Sequence, residues 1–365
     1  MHNLITTKVS GKLYLAGEYA VVEPGYSAII AAIDRFVTVR LTPALAATSS
    51  VITSHQYENH TLRWDRIGSK MVVDNRDNPF QYILSAIKVT EDYVEALHLP
   101  MKKYQLDVNS ELDNGNGKKY GLGSSAAVTV ATIMAVCQLY QLHLSRVNLF
   151  KLAAIAHLDV QGNGSLGDVA SSVFGGLISY SSFDRQWLMN FRHKLILPDL
   201  LKLEWPKLEI IPLKIPAALR FLVGWTGSPS STSHLIDQVE LKKGRTQSQY
   251  HQFLHASQKC VHEITNGFRQ NNLELIMNNI KENRQLLQSL SNTEHVDIET
   301  PKLQTMIKIA EHYGGAAKTS GAGGGDCGIV LINKNDDIQS LLADWRKAGI
   351  DPLNLAIYNY TGENL

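Results

Sequence analysis

Three strand-like runs of apolar residues open the chain: Lys12-Leu13-Tyr14-Leu15-Ala16, then residues 27–33, then residues 36–41. Glu23-Pro24-Gly25 marks a turn between the first two. Asn78 and Pro79 signal the start of a helix running to about Leu97. A strand at 104–108 and an exposed loop, Asp113-Asn114-Gly115-Asn116-Gly117, follow. The pattern then predicts an apolar helix over about 125–140, a second helix over about 148–158, a small-residue turn at 162–168 and a strand at 176–180. Pro198, Pro206, Pro212 and Pro216 crowd the next stretch and suggest a domain junction. Beyond it come a strand at 219–225 and two long helices with apolar residues three and four apart. Strands at 328–332 and 355–358 then flank one more helix. Strands and helices are mixed rather than strictly alternating, which favours α+β over a doubly wound parallel sheet.

A chain of 365 residues exceeds the usual size of one domain, and the division expected is 1–205 and 206–365. Lys+Arg of 35 against Asp+Glu of 34 leaves no global field to attract nucleic acid or an anionic membrane, so neither is expected as a partner. Cys137, Cys260 and Cys327 show no zinc or redox spacing. The start of the chain lacks a secretory pattern, and no apolar run is long enough for a bilayer. A cytoplasmic protein is expected, with the Asn163-Gly164-Ser165 sequon a chance match. The 13 histidines form no metal-ligand pattern.

Candidate chemistry lies in three small-residue segments. Gly121-Leu122-Gly123-Ser124-Ser125-Ala126-Ala127 runs straight into a helix, with Lys118 and Lys119 just before it. Glycines let backbone come close to a ligand, and the first amides of a helix point at an anion. The two serines add hydroxyls for phosphate or Mg²⁺. No acidic residue lies about twenty positions on to hold a ribose, as a dinucleotide site requires. The Walker and protein-kinase patterns are also missing. Alone, the loop reads equally as a tight turn with a helix cap. The second segment, Thr319-Ser320-Gly321-Ala322-Gly323-Gly324-Gly325-Asp326, carries more glycine than a structural turn requires, which suggests close approach to a ligand. The third is Ser10-Gly11-Lys12, followed by Glu18-Tyr19.

Together these segments resemble the three motifs of the GHMP kinases, the superfamily of galactokinase, homoserine kinase, mevalonate kinase and phosphomevalonate kinase. Residues 11–22 (GKLYLAGEYAVV) resemble motif one, GLGSSAA motif two, and KTSGAGGGDCGI at 318–329 motif three. The resemblance covers nearly the whole chain. Several details are similar to the phosphomevalonate kinase branch: Gly17-Glu18-Tyr19, Asp326-Cys327, Ser182-Phe183-Asp184 with Trp187, and Val223-Gly224-Trp225-Thr226-Gly227-Ser228. Lys119-Tyr120 stands before Gly121 where many members of the superfamily have proline.

The resemblance implies an N-terminal domain like ribosomal protein S5 domain 2 and a ferredoxin-like C-terminal domain. It implies ATP-dependent phosphorylation of (R)-5-phosphomevalonate, with Mg²⁺ arriving on ATP and the protein a monomer or homodimer. The alternatives are mevalonate kinase, another kinase of the superfamily, or a non-catalytic ligand sensor on the same fold. By the same resemblance Lys12 and Asp168 are catalytic. Lys119, Gly121, Leu122, Gly123, Ser124, Ser125 and Ala126 bind ATP, with Ser125 also on the metal. Lys12, Glu18, Tyr19, Ser165, Arg185, Ser320 and Gly321 face the acceptor. Trp225 is expected to pack at the domain interface rather than line the site.

Overall fold

In the computed structural model, which describes residues 4–44, 50–55, 60–73, 79–113, 120–227, 235 and 247–359, the chain opens with β1 (Ile5–Ala16) and β2 (Ser27–Pro43). The runs at 27–33 and 36–41 are one strand. Ser10 pairs with Phe36 and Gly11 with Ile33, so Asp34 and Arg35 form a bulge rather than a break. The bulge bends the strand pair beside Gly11 and Lys12. There Lys12 N–H donates to the carbonyl of Leu122 at 2.8 Å, tying the first small-residue segment to the loop at 121–127.

The strands β3 (Ser50–Ser54), β4 (His60–Ile67), β5 (Lys70–Val73), β6 (Tyr104–Ser110), β7 (Leu177–Ser181) and β8 (Glu209–Leu213) complete an eight-stranded sheet with β1 and β2. Its order is β5-β4-β3-β6-β2-β7-β8, with β1 pairing on β2. Only the β3–β6 pairing is parallel among the described residues. The β3–β5 meander and β8 add to the strands that apolar patterning suggested. Helices α1 (Gln81–Ala96), α2 (Ser124–Leu139), α3 (Arg146–Gln161) and α4 (Gly167–Phe174) form the layer that carries the site. The α2 helix is apolar on nearly every side and is buried accordingly, packed among α1, α3, α4 and the sheet. Two short helices, α5 (Arg185–Arg192) and α6 (Leu197–Lys202), lead to β8.

The prolines of 198–216 do not all fall in a linker. Pro212 sits in β8, an edge strand whose outer side needs no ladder donor. The large sheet thus includes β8 up to Leu213, and β9 (Leu219–Trp225) belongs to the second sheet.

From β9 the chain runs through α7 (Gln247–Arg269), α8 (Leu273–Glu294) and α9 (Pro301–His312) to β10 (Ala316–Thr319) and β11 (Cys327–Asn333). It continues through α10 (Ile338–Lys347) to β12 (Asp351–Leu353). The four-stranded antiparallel sheet has the order β10-β11-β9-β12, which is the split βαβ arrangement of a ferredoxin-like domain. The strand expected at 355–358 instead lies against the large sheet: Ile33 bridges Ile357, and Tyr358 N–H donates to Ala32. Among the described residues no helix is long and apolar enough to cross a membrane.

Candidate active site

A cavity of about 400 Å³ lies where the two sheets meet, within the usual range for a small-ligand site. All three small-residue segments reach it. Its lining includes Lys12, Tyr14, Glu18 and Tyr19; Gly121 to Ser125; His157; Ser165 and Asp168; and Ser320, Gly321 and Asp326.

Gly123 is the N-cap of α2 in the left-handed region, with φ +82° and no capping side chain, so the first turn keeps free amide donors toward the cavity. Its missing Cβ matters twice. A side chain there would sit in a disfavoured conformation and would meet the stem of Lys12 at 3.0 Å. At Gly121, with φ +75°, a Cβ would run into the Asp326 carboxylate. Ser124 and Ser125 open the helix, and Ala126 is buried behind the loop without reaching the cavity. Lys118 and Lys119 lie outside the described residues, as do Asn78, Asn114 to Gly117 and Ser228.

Lys12 Nζ donates to the Gly121 carbonyl at 3.1 Å, so its charge is held directly against the loop. Burial lowers its pKa, and the nearby carboxylates of Asp168 and Asp326 oppose that shift. Asp168 lies in the first turn of α4 without being its N-cap; that position is Leu166, at φ 63°. Oδ1 of Asp168 accepts from Val169 N–H at 2.9 Å. Ser165 Oγ is 3.1 Å from the Tyr14 hydroxyl and accepts from Gly167 N–H. Burial beside Asp168 pushes the Tyr14 phenol far up, so Tyr14 stays protonated.

Glu18 and Lys318 form a buried ion pair, 3% and 0% exposed, joining motif one to motif three. Glu18 Oε1 also accepts from Gly321 N–H at 3.3 Å, while Oε2 has no partner among the described residues. The Tyr19 hydroxyl donates to Ala322 at 2.6 Å, and Ser320 Oγ donates to the Tyr14 carbonyl at 2.9 Å. These contacts spend Tyr19 and Ser320 on holding the second glycine loop in place. Only part of that loop is open. A Cβ at Gly321 would meet nothing within 4 Å, whereas one at Gly323 would strike the Ile298 carbonyl. Glycine at 323 therefore serves packing against the chain itself.

Arg185 does not reach the cavity. Its guanidinium donates to the Gly164 carbonyl and so braces the turn that carries Ser165. Trp225 also stays out of the lining and meets Tyr120 edge to face, centroids 5.1 Å apart, between the two sheets. Sequence reasoning missed Tyr14, Tyr82, His157 and Lys318. His157 sits in the apolar run Leu152-Ala153-Ala154-Ile155-Ala156 of α3 and reads there as a core residue. No group of three or more His, Cys, Asp or Glu side chains placed to hold a metal occurs among the described residues.

Residues 81–176 match the GHMP kinases N terminal domain and residues 264–351 the GHMP kinases C terminal domain. A phosphomevalonate kinase of Streptomyces sp. (strain CL190) is 35% identical over 361 residues, covering 96% of each chain. A mevalonate kinase of Methanocaldococcus jannaschii is 27% identical, covering 95% of this chain and 98% of its own. The solved structure of Streptococcus pneumoniae phosphomevalonate kinase in complex with phosphomevalonate and AMPPNP superposes with a TM-score of 0.83. It has 32% identity and covers 96% of this chain and 99% of the other. With both halves matched, the full length shared and the three motifs gathered at one cavity, the chain belongs to the GHMP kinase family.

Proposed function

We propose that the chain transfers the γ-phosphoryl group of ATP to the phosphate of (R)-5-phosphomevalonate, giving (R)-5-diphosphomevalonate and ADP in the mevalonate route to isoprenoids. The observation that carries this reading is the placement of Lys12: its amine bonds the phosphate loop while Asp168 and Ser165 line the same cavity. The choice of acceptor is supported by the Streptomyces and Streptococcus relatives, both phosphomevalonate kinases.

Phosphoryl transfer needs positioning and charge neutralisation more than covalent catalysis. The amides of Gly123, Ser124 and Ser125 hold the ATP phosphates. The acceptor is a phosphate monoester whose second pKa is about 6, already an oxyanion at neutral pH. One of its oxygens attacks the γ-phosphorus, the bond to the bridging oxygen breaks, and ADP leaves with the electron pair. No general base is required. The obstacle is repulsion: two like charges 4 Å apart in a partly screened site oppose each other by about 4 kcal/mol. Lys12 sits between the two anions and offsets that repulsion. Asp168 orients Lys12 and the acceptor, Ser165 contacts the acceptor, and Arg185 supports Ser165 through Gly164.

Mg²⁺ fits as an ion arriving with the nucleotide. It prefers phosphate and water to an all-protein cage; the chain offers it the Ser125 hydroxyl, and no carboxylate cluster placed to hold a metal occurs among the described residues. Bound there, it would neutralise charge on the β- and γ-phosphates.

A coupled ADP-release assay with 5-phosphomevalonate and mevalonate tests the reading. Turnover is expected with the phosphate ester. Preference for the free alcohol would favour the second reading, mevalonate kinase, which the Methanocaldococcus relative supports.

A further inference from the structure

His157 takes no part in the roles set out above. It is 1% exposed yet lines the cavity, on the face of α3 that meets the start of α2. Its Nε2 lies 3.2 Å from the Ser125 hydroxyl. The ring leans on Tyr82, centroids 4.9 Å apart at 35°, which restricts its rotation. Its other nitrogen, Nδ1, is buried without a hydrogen-bond partner among the described residues. An imidazole carries a proton on at least one of its ring nitrogens. On Nδ1 that proton would be a buried donor with no acceptor; on Nε2 it bonds Ser125.

The Ser125 hydroxyl has one donor and two lone pairs. With one lone pair taken by His157 Nε2–H, the Ser125 proton is left for the cavity, where the loop gathers its amides. We propose that His157 is a positioning residue of the phosphate loop, fixing the Ser125 hydroxyl so that its proton points at the terminal phosphates of the nucleotide. A chain of aligned donors is also mutually reinforcing. The inference rests on the ATP reading of the loop.

Titration calorimetry of AMPPNP into the full chain tests it, using wild type, Ser125→Ala, His157→Phe, the double variant, His157→Gln and His157→Asn. Ser125→Ala and His157→Phe are each expected to weaken binding about tenfold, the size of one hydrogen bond to a charged group. Because His157 acts through Ser125, the double variant should be within about twofold of Ser125→Ala. His157→Gln puts an amide donor where Nε2 was and should recover most of the affinity; His157→Asn puts it where Nδ1 was and should not. Additive losses, unchanged affinity in His157→Phe, or equal recovery by Asn and Gln would overturn the inference while leaving the ATP reading intact. If His157→Phe does not fold, the Gln and Asn pair decides. No effect of Ser125→Ala would overturn the inference alone; absent binding to wild type would overturn the ATP reading and the inference with it.

Discussion

The two glycine-rich loops of this chain look alike in sequence and differ in what their glycines are for. The loop at 121–127 is framed by side chains from elsewhere, Lys12 against Gly123 and Asp326 against Gly121, and leaves the first amides of α2 facing the cavity. The loop at 319–326 is clamped from both sides. Lys318 and Glu18 anchor its start, Tyr19 holds Ala322, and Gly323 abuts Ile298. One loop opens its backbone donors to the cavity; the other braces the two sheets while lining the same cavity from Ser320 to Gly323 and at Asp326. Glycine content alone does not separate these uses, but the atoms that would meet an added Cβ do.

Breaking the brace should cost most. Lys318→Met leaves Glu18 buried and unpaired, and is expected to destabilise the protein by about 3–5 kcal/mol. Replacing both partners, Lys318→Met with Glu18→Gln, should cost less. Urea unfolding measures both, and a single variant within about 1 kcal/mol of wild type would remove the ion pair from the account.

Gly323→Ala should follow, at about 2–4 kcal/mol of stability, because its Cβ meets backbone in a left-handed conformation. Gly123→Ala meets only the movable stem of Lys12, so it should lose about 1–2 kcal/mol of stability but about a hundredfold in kcat/KM as Lys12 is displaced. If both variants lost stability and activity in equal proportion, the distinction between the loops would collapse. Tyr19→Phe, which removes a single bond to Ala322, should cost only about 1 kcal/mol by the same unfolding measurement.

The pH profile sharpens the comparison at Lys12. Burial lowers its pKa, so in the free protein its charge is lost at lower pH than that of an ordinary lysine. Activity as kcat/KM should fall as pH rises through that value. Bound polyanions raise the pKa again, so the alkaline limb of kcat should lie higher. Asp168→Asn removes the largest charge opposing the shift and should move the kcat/KM limb to lower pH. A limb that stays in place would mean that Lys12 does not control it.

The loop at 121–127 was legible as a glycine-rich turn running into a helix because its signals lie within a few residues, and its reading as an ATP site came from the resemblance. Lys12, Asp168 and Ser165 came from motif resemblance, and the fold brings them to one cavity from β1 and the start of α4. What was not legible depends on distant partners. The α4 helix begins from Leu166 with no capping side chain, so no start signal marks it. In the β4 strand Leu62 and Trp64 are buried and alternate with charged residues. Arg185 has the chemistry of an anion binder, and only the position of Gly164 shows where that guanidinium goes. Nothing in the sequence around His157 or Lys318 points to Ser125 or Glu18, and only the fold supplies those partners.

The central claim is that an acceptor already ionised makes Lys12, rather than Asp168, the group on which transfer depends. Single-turnover rates with ATP and 5-phosphomevalonate for Lys12→Ala and Asp168→Asn test it directly. Lys12→Ala is expected to slow transfer by about a thousandfold, the loss typical of removing one preorganised charge partner, and Asp168→Asn by about tenfold to a hundredfold. Near-normal transfer in Lys12→Ala together with its abolition in Asp168→Asn would contradict the account.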